Sequence, residues 1–174
     1  DNAVDSIPYD WKNIYLLVNN AGLASGFSLL QEGNAEDWDK MIDTNLKGLL
    51  YVSRAVLPLL IAQGTGHVIN ISSIAGKKTF PDHAAYCGTK FAVHAISENV
   101  REEVASSNVR VTTIAPGAVE TELLSHTTSQ DIKDGYDAWK EDMGGVLAAD
   151  DIARAVLFAY QQPQGVCVRE IALA

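Results

Sequence analysis

The run IYLLVNNAG, residues 14 to 22, decides how this chain is read. Its apolar part, IYLLV, stops abruptly at two asparagines, an alanine and a glycine. A short continuous apolar run ended in this way predicts a strand buried on both faces, as in a parallel sheet. HVINIS (67–72) and VRVTTIA (109–115) repeat the pattern, stopped by Ser-Ser and Pro-Gly. GVCVREIAL (165–173) is a fourth.

Helical patterns alternate with these runs. Asn34 is suited to cap a helix, with Asp37 three residues on. Trp38, Met41, Ile42 and Asn45 then follow at helical spacing. A further helix is expected from Leu46 to about Ala62, kinked or restarted at Pro58. Residues 85–106 carry Val93, Ile96, Val100 and Val104 on one face. Residues 150–160 open with two aspartates, at the favourable end of a helix dipole. Residues 118–149 are weakly patterned, with Tyr136, Trp139 and the pair Gly144–Gly145, and suit a lid. Alternating strands and helices predict an α/β fold, a doubly wound parallel sheet in a single domain spanning 1–174. Ligands in such sheets bind beyond the carboxyl ends of the strands. NNAG, Ser-Ser and Pro-Gly mark those ends.

The totals narrow the function classes. The chain has 174 residues and a formal charge of −9. An acidic, unpatterned surface argues against nucleic acid or an anionic membrane as partner. No uninterrupted apolar run reaches the ~18 residues of a membrane span. The opening residues, DNAVDSIPYD, do not read as a signal peptide. Cys87 and Cys167 fit no CxxC pattern, and His67, His83, His94 and His126 show no ligand spacing, so reduced thiols, a cytoplasmic location and no metal are expected.

AYCGTKF (85–91) places Tyr86 and Lys90 one helical turn apart. An ammonium beside a phenol favours the phenolate, and a tyrosine so tuned can exchange a proton near neutral pH. Spacing alone is weak evidence. With six tyrosines and eight lysines in the chain, chance supplies roughly 0.3 such pairs, and YDAWK (136–140) is a second copy. Ser73 separates the two. It ends the preceding strand 13 residues before Tyr86, where a hydroxyl can hold a substrate oxygen; the residue 13 before Tyr136 is Leu123. Ser72-Ser73 also reads as a plain turn pair. Asn45 reads as a core amide bonded to backbone, or as a polar link from Lys90 to water. Asn19, Asn20, Ala21 and Gly22 either let a ligand approach the backbone or merely stop a strand. Pro116 and Gly117 read as a turn, with Thr121 able to cap a following helix. Lys77 and Lys78 suit a substrate carboxylate or a solvated turn, and the solvated turn is favoured.

LVNNAG (17–22), DTNLKG (43–48), HVINISSIAG (67–76), YCGTK (86–90) and IAPGAVETEL (114–123) occur in one order with consistent spacing. Together they resemble the short-chain dehydrogenase/reductase family. IPYDWKNIYLLVNNAGLASG, EDWDKMIDTN and RAVLP resemble its NADP-dependent 3-hydroxy acid (serine-type) branch. The resemblance implies a Rossmann-like sheet and hydride transfer between a nicotinamide cofactor, NADP or alternatively NAD, and a small alcohol or carbonyl. It implies Tyr86 as acid/base, Lys90 as its activator and ribose ligand, Ser73 as the group orienting the carbonyl, and Asn45 as holder of a relay water. Asn19, Asn20, Ala21 and Gly22 match the motif beside the cofactor ribose. Pro116, Gly117, Val119 and Thr121 match the segment flanking the nicotinamide. Helices 46–62 and 85–106 match those that pair subunits, implying a homodimer or homotetramer. The family's Gly-rich TGxxxGxG turn, which cradles the pyrophosphate, does not occur in these residues. The chain therefore resembles the carboxyl-terminal portion of such a protein, lacking its first three strands. By itself it is expected neither to bind NADP tightly nor to turn over. An unpaired apolar edge at 14–18 is the structural counterpart. The alternatives are a non-catalytic regulatory or interaction protein on the same fold, and a nucleotide-sugar epimerase, which needs a larger carboxyl-terminal domain than this chain has room for.

Overall fold

The computed structural model describes residues 2–121 and 145–174. Four strands form one parallel sheet in the order β1 (Leu16–Asn19), β2 (Gly66–Ile71), β3 (Val109–Pro116) and β4 (Glu170–Leu173). Between β1 and β2 lie α1 (Ala35–Met41) and α2 (Leu49–Gln63). Between β2 and β3 lies α3 (Ala84–Val104), and before β4 lies α4 (Ala149–Gln161). Register aligns Leu17 with Val68, Val68 with Val111, and Ile114 with Ile171. All four carboxyl ends therefore stand on one side of the molecule.

Side chains alternate across a strand, and here both faces are covered. Val68, Val109 and Val111 pack against Val56 and Leu60 of α2 and Val104 of α3. Ile69 and Ile114 pack against Ala155 and Ala159 of α4 on the opposite face. The sheet is doubly wound and Rossmann-like.

The expected strand at 14–18 differs in one respect. It begins at Leu16, and Tyr15 and Val18 are exposed, because β1 forms the sheet edge and only one side of its backbone is paired. The last strand is shorter than 165–173. Carbonyls upstream of it are taken by side chains instead of a ladder: Arg110 Nη1 donates to Val166 O (3.3 Å) and Thr112 Oγ1 to Val168 O (2.5 Å).

Asn34 caps α1, its Oδ1 accepting the Glu36 amide at 2.9 Å. Asp37 does not reach back to complete a capping box. It is buried, accepts from Ser25 Oγ at 2.8 Å and ties down the loop after NNAG. Nor does a new helix start at Leu46 or at Pro58. A π-helical turn, Ile42–Gly48, joins α1 to α2, and the helix runs on through Pro58. The joined helix, Ala35–Gln63, is long and apolar enough by length and composition to cross a membrane, although no single apolar run foretold it. Here it serves as a sheet-covering layer, with Asn45, Ser53, Val56 and Leu60 buried. The first turn of α4 holds Asp150 and Asp151, and Asp151 Oδ2 accepts the Ala148 amide at 2.7 Å. Most of the expected lid, with Tyr136, Trp139 and Lys140, lies outside the described residues.

A buried polar cluster fixes the amino-terminal side of the sheet. Arg110 donates to the carbonyls of Ala159, Tyr160 and Gln162 at 3.0–3.2 Å, so its charge sits at the negative end of the α4 dipole. His67 is fully buried beside it, its Nε2 2.7 Å from Thr112 Oγ1. The Thr112 proton goes to Val168 O, so His67 Nε2 carries the hydrogen and donates. Nδ1 is buried with no hydrogen-bond partner among the described residues. Burial, and then the charge of Arg110, hold the His67 pKa down at about 4, against an ordinary 6.5.

The unfolded chain thus takes up a proton before the folded one does. Stability attributable to His67 is complete above pH 6.5 and is lost as pH falls toward about 4, by roughly 3 kcal/mol. Urea unfolding at pH 7 and pH 4.5 should show a smaller acid loss in His67→Gln than in the wild type. Equal losses would contradict this assignment.

Candidate active site

At the carboxyl ends of the strands, α3 delivers Tyr86 and Lys90 on one face, four residues apart. Both are buried. Tyr86 belongs to an apolar cluster with Ala24, Met41, Ala75 and Cys87, and the Phe27 ring meets it edge-on at 6.1 Å between centroids. Lys90 Nζ lies 5.8 Å from the Tyr86 ring centre and donates to Ile71 O, the last carbonyl of β2, at 3.2 Å. No carboxylate pairs with it among the described residues. Burial alone lowers its pKa from 10.5 to about 8, because a desolvated ammonium is costly to charge.

The NNAG residues divide. Asn19 faces inward: its Nδ2 donates to Asn70 Oδ1 (2.8 Å) and Ser53 Oγ (3.1 Å), tying β1 to β2 and α2. Asn70 continues the chain to Ser97 on α3 at 2.8 Å. Asn20 and Ala21 are exposed at the strand end. A Cβ placed on Gly22 would stand 3.4 Å from Asn45 Oδ1 and 3.6 Å from Lys90 Nζ. Glycine here leaves open the space that the amide and the ammonium share.

The π-turn presents Asn45. Its Oδ1 accepts from Leu23 N (2.8 Å), and its Nδ2 donates to Leu23 O (2.9 Å) and Thr89 Oγ1 (3.2 Å). Thr89 in turn donates to Tyr86 O at 2.8 Å. Asn45 therefore clamps the post-β1 segment to the turn of α3 that carries Tyr86 and Lys90. π-turns are frequent at functional sites.

Ser73 caps a short 3-10 turn, Ile74–Gly76. Its Oγ accepts from Ala75 N (3.1 Å) and donates to Pro116 O (3.3 Å), which links the end of β2 to the end of β3. Gly117 N donates to Leu173 O at 2.6 Å, and Val119 bridges to Leu147. Thr121, exposed, is the last residue described before the gap, so any cap it makes on a following helix lies outside the described residues. Lys77 pairs with Glu170, and Lys78 Nζ lies over the Phe80 ring at 4.9 Å; neither cation is aimed at Tyr86. Sequence reasoning passed over Thr89 and Asn70, and read Ser72 only as half of a turn pair. Thr89 stands inside YCGTK at i+3 from Tyr86, a helical spacing that could have flagged it. Ser72, whose Oγ donates to Lys90 O at 3.1 Å, had no such signal.

The arrangement is a desolvated phenol, an unpaired buried ammonium and a hydroxyl, held at one end of a parallel sheet. Comparisons with known proteins give the family. A family model described as short chain dehydrogenase matches residues 1–132. An uncharacterized oxidoreductase of Staphylococcus saprophyticus is 43% identical over 97% of this chain and 68% of its own length. An NADP-dependent 3-hydroxy acid dehydrogenase of Shigella flexneri is 45% identical over 68% of this chain and 48% of its own length. A serine dehydrogenase structure complexed with NADP+ superposes with a TM-score of 0.89 at 38% identity, covering 98% of this chain and 68% of that one. The chain thus spans between about half and two thirds of these relatives. With the motif order, the parallel sheet and the matched model all in accord, this chain belongs to the short-chain dehydrogenase family.

Proposed function

We propose that the protein carrying this chain moves a hydride reversibly between NADP and a small alcohol or carbonyl, with a 3-hydroxy acid such as serine as substrate. The observation that carries this reading is Lys90, a buried ammonium that, among the described residues, makes one hydrogen bond and has no carboxylate partner, beneath Tyr86. Its remaining N–H groups and the space left at Gly22 suit ribose hydroxyls, so the residues present fit the cofactor. The names of the Shigella and serine dehydrogenase relatives support the choice of cofactor and substrate class.

When bound, NADP would supply the hydride acceptor for oxidation, and its reduced form the hydride donor for reduction. In oxidation Tyr86 takes the proton from the substrate hydroxyl, and the charge of Lys90 favours its doing so. Ser73 Oγ turns from Pro116 O to hold the substrate oxygen. Asn45 fixes the spacing between α3 and the NNAG segment. Asn19, Asn20, Ala21 and Gly22 border the ribose side, and Pro116, Gly117, Val119 and Thr121 the nicotinamide side. The exposed Leu50, Tyr51, Ile61 and Phe91 on α2 and α3 suit pairing with further copies, as a dimer or tetramer.

In the full-length protein, Tyr86→Phe should lower kcat for NADP-linked oxidation of L-serine or 3-hydroxypropionate by about a thousandfold, with cofactor affinity retained. Absence of turnover in both forms, with cofactor still bound, would favour a regulatory protein. Lys90→Met should abolish turnover yet raise stability at pH 7 by roughly 1–3 kcal/mol, since it removes a buried charge. The sign follows from the lowered pKa of about 8: stability rises with pH between about 8 and 10.5, and the burial cost is greatest below that window. A less stable Lys90→Met protein would contradict it. Titration of the isolated 174-residue chain with NADP should give at most weak binding, and a micromolar Kd would overturn that expectation.

A further inference from the structure

Tyr86, Lys90 and His94 stand at successive four-residue steps along α3, and the proposed chemistry uses only the first two. The His94 ring lies against the turn that follows Ser73. A Cβ on Gly76 would come within 2.5 Å of His94 Cδ2 and 2.6 Å of Lys90 O. The turn is thus pressed onto α3 at these two residues, and only glycine permits so close an approach. Ser72 Oγ anchors the same place from the other side through Lys90 O. The Ser73 backbone interacts directly with the imidazole, favouring its protonated form.

We infer that His94 is a positioning residue for Ser73, its imidazole acting as the spacer that sets the height of the Ser73–Gly76 turn over α3 and hence where the serine hydroxyl stands relative to Tyr86. This rests on the reading of Ser73 and Tyr86 given above. The charged groups facing the ring are Lys90 on α3, Lys77 beyond the turn and Glu170 on β4. Arg169 of the segment leading into β4 and Glu98 and Arg101 of α3 line the same cavity, of about 320 Å³, as His94. Nε2 is buried with no hydrogen-bond partner among the described residues. Burial, with Lys77 and Lys90, holds the ring below its ordinary pKa against the pull of Glu170 and the Ser73 backbone, so the spacer is neutral at pH 7.

In the full-length protein, His94→Ala should lower kcat about tenfold, while KM and the NADP Kd stay within about twofold. His94→Gln, which keeps a planar group of similar reach, should recover most of that loss. A crystal structure of His94→Ala should show Ser73 Oγ displaced. An alanine variant with unchanged kcat would overturn the inference, as would Ala and Gln variants equally slow with Ser73 unmoved. If the wild type has no turnover, the catalytic reading fails by itself, and the position of Ser73 in His94→Ala then decides whether His94 is the spacer.

Discussion

A lysine ammonium held almost out of water is the constraint around which this structure is organised. Burying it lowers its pKa toward 8, and the hydrogen bond to Ile71 O does not offset that cost. A side chain that served only stability would not be placed there. The surrounding features make sense as consequences. β2 must end where its last carbonyl can accept from Lys90. Position 22 must be small, and the turn after Ser73 must pack directly onto α3 at Gly76.

The sheet supplies the rigidity that such a site needs. Registered parallel ladders from β1 to β4 bring Asn19, Ser73, Pro116 and Leu173 to one side. Three polar bridges then lock neighbouring elements: Asn19 to Asn70 and Ser53, Asn45 to Leu23 and Thr89, and Ser73 to Pro116. Each crosses between segments distant in sequence. Arg110 and His67 do comparable work at the opposite end, where a cation satisfies the carbonyls that close α4. Chemistry and anchoring are thereby kept at different ends of the same strands.

Strand positions were legible because apolar runs ending in Asn, Ser or Pro-Gly have few other solutions than a buried parallel strand. The pairing of Tyr86 with Lys90 was legible because a helix puts i and i+4 together wherever it lies. The edge exposure of β1 belongs to sheet order, which periodicity does not encode. The shortness of β4 follows from Arg110 and Thr112 capturing carbonyls more than 50 residues away, a competition no local pattern reveals. The π-turn escaped for a related reason: DTNLKG has ordinary helical composition, and the extra residue in the turn is set by Asn45 reaching Leu23 and Thr89.

The sequence by itself determined the class of fold, the order of its elements and the set of side chains at its strand ends, because those depend on local periodicity and on spacing along one helix. Only the tertiary structure decided what those side chains do to one another. It showed that Lys90 is desolvated, with no carboxylate partner among the described residues, and that Asn45 is a clamp between α3 and the post-β1 segment. It also paired Lys77 with Glu170 and set His94 against the turn that follows Ser73. Burial and hydrogen bonding between distant segments are properties of the packed chain, and electrostatic character follows from them.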